Sequence, residues 1–563
     1  MKTIKIFVSA IFILSICSCQ DLLDEPIYDF RTAETAFATE EASAATLSGL
    51  YESLRSYNYY RQDFQRVVEV ASVGMSVPKT WNDNDLDEQK QTPDSDLCWR
   101  IYSGIYASIA KANLIISLLP EKLETDVQKN SMGQCLFVRA LNYFNLARLF
   151  GAVPIVTEKN KDNLAIPKAK NVEQVYDFIV EDLKNAFNLL AEEQPIIKEA
   201  PRKMAAKALL AAVYLQRASM TNDIEYWKLA RDNATDVINS NIYSLVDDYA
   251  YLFDMNHEFS SESIFEIGFS NAAAGLGSSF PSIYLSAPYK EYTIKTQSMF
   301  DICREITDDL LNTYGGGQGN FELLKKGIDY RMSINTNVGI VVGKDAKGKP
   351  QYSYPYIKKD LTKSDAYYQD IIVHKYKDSG YAAGSNVYVH GNNWFVLRLA
   401  EMYLIAAEAE NVINNGPNDA AIGWLNEILW RGSCQGKYEI PAKVSLKDFE
   451  KSGSAKQAFF ERIMIERSNE FTGEGKLYFD ERRFGEDYLR TLMEKHNIRI
   501  RQRASDAEQN IDLIRTALNG FEFDVNSSSN GVSFARKNLL LPIPNQAIMT
   551  NNALKLSDQN PGY

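Results

Sequence analysis

The chain has 563 residues, 45% of them hydrophobic and 24% charged, which is enough to bury a large core and excludes wholesale disorder. A formal net charge of -12 excludes a nucleic-acid partner, because binding to phosphate needs clustered Lys and Arg that release counterions. Aromatic residues make up 12%, weighted toward 32 Tyr, and a side chain with a flat apolar face and a hydroxyl suits a polar ligand.

Residues 1–18 read as an address. Lys2 and Lys5 precede an apolar run from Ile6 to Ile16 that is too short to span a bilayer. In Ile16-Cys17-Ser18-Cys19 the small Ser18 precedes Cys19, as in a bacterial lipobox, whereas the bulky Ile16 precedes Cys17. Cys19 is therefore the expected lipidation site; the alternative is an ordinary secretory signal cut elsewhere. Residues 19–45, with Asp21, Asp24, Glu25 and Pro26, then read as a lipidated N-terminus and polar leash.

Helical periodicity dominates from residue 46 to 259. Leu97 to Leu119 carries Trp99, Tyr102, Ile105, Tyr106, Ile109 and Asn113, and Pro120 stops it. Gln134 to Phe150 is apolar nearly all round and belongs inside. Arg139, Asn142, Asn145 and Arg148 form its one polar stripe, suited to buried carbonyls or carboxylates of neighbours, and Gly151 suits a left-handed C-terminal position before Pro154. Val172 to Leu190 shows a stripe of Val175, Phe178, Ile179, Leu183 and Phe187. The stretch Met204 to Gln216 and the helix carrying Trp227 and Ala234 form an Ala-rich pair whose small residues allow close approach. A second such pair follows in the last part of the chain (396–563), with Ala400, Leu404 and Ala407, then Ala421, Leu425 and Leu429. The expected fold is mainly α: tetratricopeptide-like (TPR-like) helical hairpins forming a scaffold, with a large irregular, loop-rich ligand-binding region.

That irregular region is 260–395, with Gly-rich loops and many Tyr residues, including Tyr284, Tyr289, Tyr292 and Tyr376. Loops on a rigid scaffold are where binding residues sit, although most such rings pack the loops themselves. Catalytic signatures are missing. There is no G-x-S-x-G elbow, Gly473-Glu-Gly475-Lys476 fails as a phosphate loop, the four His show no H-x-x-x-H, and Cys98, Cys135, Cys303 and Cys434 make no C-x-x-C. Asp83, Asp85, Asp87 and Asp94 stand in a calcium-loop register, but Glu88 occupies the position that needs Gly. No enzyme activity, metal or cofactor is expected. The candidate ligand residues are Trp81 and Asn84 in the polar loop after Ser76, and Tyr284, Tyr289 and Tyr292 around Pro288, in stretches without amphipathic period.

An ordered series of segments resembles the SusD/RagB family of bacterial surface lipoproteins. After the lipobox come Ala110-Lys-Ala-Asn113, the hallmark FVRALNYFNLARLFGAVPIV ending at Val156, and Ala205-Ala-Lys-Ala-Leu-Leu-Ala-Ala-Val-Tyr214. Leu397-Arg-Leu-Ala-Glu401 follows, then Ile465-Glu-Arg-Ser-Asn-Glu470-Phe-Thr-Gly-Glu-Gly475-Lys-Leu-Tyr-Phe-Asp480-Glu-Arg-Arg483, Leu540-Leu-Pro-Ile-Pro544 and Gln559-Asn-Pro-Gly-Tyr563. Ser468 and Trp430-Arg-Gly-Ser depart from the family pattern. The resemblance implies a surface-exposed outer-membrane lipoprotein that captures an oligosaccharide or polysaccharide for a SusC-like TonB-dependent transporter. Peptide capture, as in the RagB branch, and a protein-interaction scaffold using only the TPR-like helices are the alternatives. The family's ligand residues follow no fixed motif, so none is carried over.

Overall fold

The computed structural model describes residues 33–76, 84–272, 276–279, 281, 295–296, 329–335, 340–344, 350–353, 373, 375–376, 390–450, 453–509 and 521–563. Its principal helices are α1 (Glu40–Leu54), α2 (Asp63–Val70), α3 (Asp96–Leu118), α4 (Asp126–Phe150), α5 (Val172–Leu189), α6 (Lys203–Thr221) and α7 (Ile224–Asn239). After the irregular region come α8 (Leu399–Ile413), α9 (Asp419–Gly432), α10 (Ala455–Phe471), α11 (Leu477–Arg482) and α12 (Glu486–Gln509).

Each helix packs on the next: α3 on α4, α4 on α5, α5 on α6, α6 on α7. The series then continues across the intervening residues, because α7 packs directly on α8, and α8 on α9 and α10. Arg231 of α7 bonds Glu410 of α8 at 3.1 Å across that joint. The two Ala-rich pairs expected from sequence are thus neighbours in one hairpin stack, with buried Ala205, Ala208, Ala230 and Ala234 in the first and Ala400, Ala407 and Ala421 in the second.

Helix α4 lies inside, as its all-round apolarity requires, with every residue from Gly133 to Ala147 buried. Its polar stripe meets partners. Arg139 grips Asp182 of α5 at 2.7 and 2.8 Å and reaches Asn113 and Glu158. Asn142 bonds Ser108 and Tyr59, Asn145 bonds both Tyr59 and Tyr60, and the Arg148 guanidinium lies between the Phe144 and Phe479 rings. The helix starts earlier than its apolar pattern, at Asp126, because Thr125 and Gln128 form a reciprocal capping box over a polar first turn. Gly151 has the expected positive φ of 73°, but with ψ of -133° its backbone is extended rather than left-handed helical, a conformation open to Gly alone.

Strand structure among the described residues is confined to two-stranded pairs. β1 (Met75–Ser76) pairs with β3 (Lys295–Thr296), β2 (Ser263–Ile267) with β6 (Trp394–Arg398), and β4 (Ile340–Lys344) with β5 (Pro350–Ser353), all antiparallel. The β2–β6 pair is buried against α4, where the Phe265 and Phe137 ring centroids stand 4.9 Å apart. Tyr376, counted among the rings of the irregular region, is a core residue stacked on Trp394. Helix α1 begins inside the stretch read as a leash; its buried Leu47, Leu50, Tyr51 and Leu54 have helical spacing.

Below β6 lies a buried ionic cluster. Arg398 bonds Glu474 through two nitrogens at 2.8 and 2.9 Å and Glu262 at 2.9 Å, Arg331 bonds Asp329 at 2.7 Å and Glu470 at 2.8 Å, and Lys375 bonds Glu474 at 2.7 Å. Arg431 joins Glu262 and Glu470. Burial alone would raise Glu470, but Arg431, Arg398 and Arg331 override it and hold the carboxyl well below the usual range. The Arg of the departing Trp430-Arg-Gly-Ser segment is therefore fully integrated. Glu466, Glu470 and Glu474 recur every fourth residue, a spacing that puts the first two on one face of α10 and the third on the turn just beyond it.

Candidate functional site

The loop after Ser76 stands on a fixed root. α2 ends at Val70, and Glu481 of α11 gathers the turn that follows: Ser72 donates its hydroxyl at 2.7 Å, Val73 its N–H at 2.9 Å and Gly74 its N–H at 3.2 Å. Burial raises the Glu481 carboxyl above its ordinary value, and Arg482 and these donors offset only part of the rise. The turn launches β1. On the returning side the chain enters a single helical turn, Asn84–Asp87, and the Gln89 amide donates to the Ala71 carbonyl at 3.0 Å. Both stems of the loop are therefore held close to Ala71 and Glu481.

The second predicted segment is pinned at both ends. On its N-terminal side Ser278 exchanges backbone bonds with His390 at 2.8 and 3.0 Å, and the Ser279 N–H donates to the Arg61 carbonyl at 3.0 Å. On its C-terminal side Lys295 pairs with Ser76 and Thr296 with Met75. In an antiparallel pair the chain that leaves Ser76 and the chain that enters Lys295 share one end of the ladder. One stem of each of the two segments singled out from sequence, at Ser76 and at Lys295, thus stands beside the other.

Of the predicted ligand residues, Trp81, Tyr284, Tyr289 and Tyr292 lie outside the described residues, as does Cys19, and Asn84 is described as the first residue of its helical turn. Sequence reasoning missed the residues that fix the stems: Glu481, Gln89, Ser278 and His390. Glu481 sits in the signature Tyr478-Phe-Asp480-Glu481, where an acid between two aromatics and two Arg residues was a signal for a buried, bonded carboxylate. Among the described residues no group of three His, Cys, Asp or Glu is placed to hold a metal.

A family model described as starch-binding and associating with the outer membrane matches residues 22–215, and one described as the SusD family matches residues 261–563, more than half of the chain. The SusD-like protein P2 of Formosa agariphila is 24% identical over the full length of both chains, and the SusD-like protein P25 of the same organism is 25% identical over 86% of this chain and 90% of its own. The fold matches a SusD homolog from Bacteroides thetaiotaomicron with a TM-score of 0.71 at 18% identity, covering 93% of this chain and 97% of that one. It also matches a laminarin-binding SusD-like protein (TM-score 0.59, 20% identity, 93% and 99% covered) and a structure with xylogluco-oligosaccharide (TM-score 0.66, 19% identity, 92% and 98% covered). A family model that spans residues 261–563, on a chain whose helices form one hairpin stack, identifies this chain as a member of the SusD/RagB family.

Proposed function

We propose that this protein is a cell-surface lipoprotein, anchored in the outer membrane through Cys19, that captures oligosaccharides or polysaccharides without cleaving them and delivers them to a SusC-like TonB-dependent transporter. The observation that supports the reading is the pairing of Ser76 with Lys295, which brings together one end of each of the two segments whose sequences hold Trp81 and Tyr292. Aromatic rings together with a side-chain amide such as that of Asn84 suit sugars, which present flat C–H faces rimmed by hydroxyls. Fold neighbours that bind laminarin or carry xylogluco-oligosaccharide support a glycan as the ligand class. The TPR-like stack supplies the extended surface such a lipoprotein offers its transporter.

Calorimetric titration of the purified protein with a panel of glycans, with product analysis of the same mixtures, tests the reading. A saturable heat with one glycan class and no products is expected. Turnover abolished by replacing one carboxylate would contradict it, and so would binding of peptides in place of glycans.

A further inference from the structure

The most exposed apolar side chains of the protein are gathered at one place. Among the described residues, the large apolar side chains with the greatest exposure are Leu164 at 79%, Leu556 at 77% and Met549 at 75%, and Ile196 follows at 55%. Leu164 comes from a segment distant in sequence from the other two, and the fold ties them together. The Asn551 amide donates to the Ile166 carbonyl at 2.8 Å, and the Lys168 ammonium donates to the Asp558 carbonyl. Leu164, Met549 and Leu556 each stand two positions from a member of one of these bonds, so the three share one patch. The stems beneath them are fixed: Ile166 and Leu554 are buried, Lys168 bridges back to Pro154, the Ala165 N–H donates to Asn163 at 2.9 Å and the Lys555 N–H to Asp558 at 2.8 Å. Single exposed apolar residues are ordinary, but three at this exposure on one bonded surface mark a contact face.

The charge around the patch indicates what it meets. In the two segments, 157–170 and 545–558, the exposed charged side chains are Lys159, Lys161, Lys170, Lys555 and Asp162, and Asp162 is neutralised by Lys161 at 2.8 Å. Glu158 is engaged by the buried Arg139. Asp94, which accepts the Asn545 amide, lies at the opposite end of the turn Asn545–Thr550 from Met549. On a chain of net charge -12 this excess of Lys is local. Apolar tips that enter the acyl boundary and ammonium groups that meet headgroup phosphates are the two parts of peripheral membrane binding, whereas the contact surfaces of protein partners are depleted in Lys.

We propose that Leu164, Met549 and Leu556, rimmed by Lys159, Lys170 and Lys555, form a membrane-docking surface that seats the folded body on a bilayer with anionic headgroups. The proposal rests on the reading of a membrane-anchored lipoprotein and adds to it a second, reversible contact besides the acyl anchor at Cys19.

The chain from residue 19 onward, carrying Cys19→Ala so that no lipid anchors it, is sedimented with phosphatidylcholine vesicles that contain or lack phosphatidylglycerol, at low and at physiological salt. It should sediment with the anionic vesicles, less so at the higher salt, and hardly at all with phosphatidylcholine alone. Leu164→Ser together with Met549→Ser and Leu556→Ser should weaken vesicle binding about tenfold or more, and Lys159→Gln together with Lys170→Gln and Lys555→Gln at least as much. Both variants should keep the melting temperature and the glycan titration of the parent, because none of the six side chains packs in the core or belongs to the loop site. Absence of sedimentation with anionic vesicles, or binding of both variants like the parent, overturns this inference and leaves the glycan reading standing. A dimer in light scattering that the three Ser substitutions dissolve would assign the face to a second copy of the chain and overturns it as well. The lipoprotein reading fails by a different sign, a wild-type protein that mass spectrometry finds without acyl groups.

Discussion

At the scale of single residues, ionisable groups are taken out of water, and Glu69 shows the consequence for pH. This α2 carboxylate is buried and accepts the Gly475 N–H. Burial pushes it up to about 8, although that N–H and Lys375 oppose the shift. A carboxyl whose folded value lies above its unfolded one favours the fold while protonated, so its contribution is present at low pH and is lost as pH climbs from the ordinary carboxylate range to about 8. Glu69→Gln keeps an acceptor for Gly475 and cannot ionise. Melting temperatures of the two proteins between pH 5 and 8 should diverge, with the Gln variant increasingly favoured as pH rises; parallel curves would show that Glu69 does not titrate in this window.

At the scale of elements, close approaches decide which substitutions a helix tolerates. Gly104 of α3 lies under the turn Tyr57–Arg61, and a Cβ there would stand 2.8 Å from the Asn58 carbonyl oxygen, a backbone atom that cannot swing aside. Gly104→Ala adds helix propensity and should still destabilise, by about 1–3 kcal/mol in chemical denaturation, because overpacking against backbone outweighs it. A neutral or stabilising result would mean that the turn yields. The same elements show what sequence discloses. The inside of α4 was legible because it is apolar nearly all round, and the stripe Arg139–Arg148 was legible because four polar groups on such a helix need partners. The beginnings of α1 and α4 were not, since capped polar first turns carry no apolar period. The pairing of β1 with β3 has only two residues per strand and no local signal, so the segments bearing Trp81 and Tyr292 could be nominated from composition but not joined.

At the scale of the molecule, Arg398 ties the irregular region to the hairpin stack. It ends β6, bonds Glu262 just before β2, and reaches Glu470 and Glu474 at the end of α10 and beyond. Arg398→Met leaves three buried carboxylates short of a partner and should cost about 3–5 kcal/mol, read as an earlier and less cooperative melt. A loss below about 1 kcal/mol would mean that Arg431 and Arg331 suffice. This network was not legible as a network. Glu466, Glu470 and Glu474 announce a shared direction by their spacing, but Arg331, Lys375, Arg398 and Arg431 come from distant segments that only the folded chain brings together. The family assignment was legible because its segments occur in order along the whole chain, whereas the ligand residues lie in loops whose sequence has no fixed pattern.

The central claim is that glycan capture depends on the loops rooted at β1 and β3, and it is tested most directly by titrating the wild-type protein and Trp81→Ala, Tyr284→Ala, Tyr289→Ala and Tyr292→Ala with the cognate glycan, each paired with a thermal melt. A ring that stacks on sugar contributes about 1–1.5 kcal/mol, so its loss should weaken binding about tenfold and leave the melt nearly unchanged. If all four variants bind like wild type, or all four melt early as the loss of a core ring at about 3–5 kcal/mol would require, these loops do not hold the ligand.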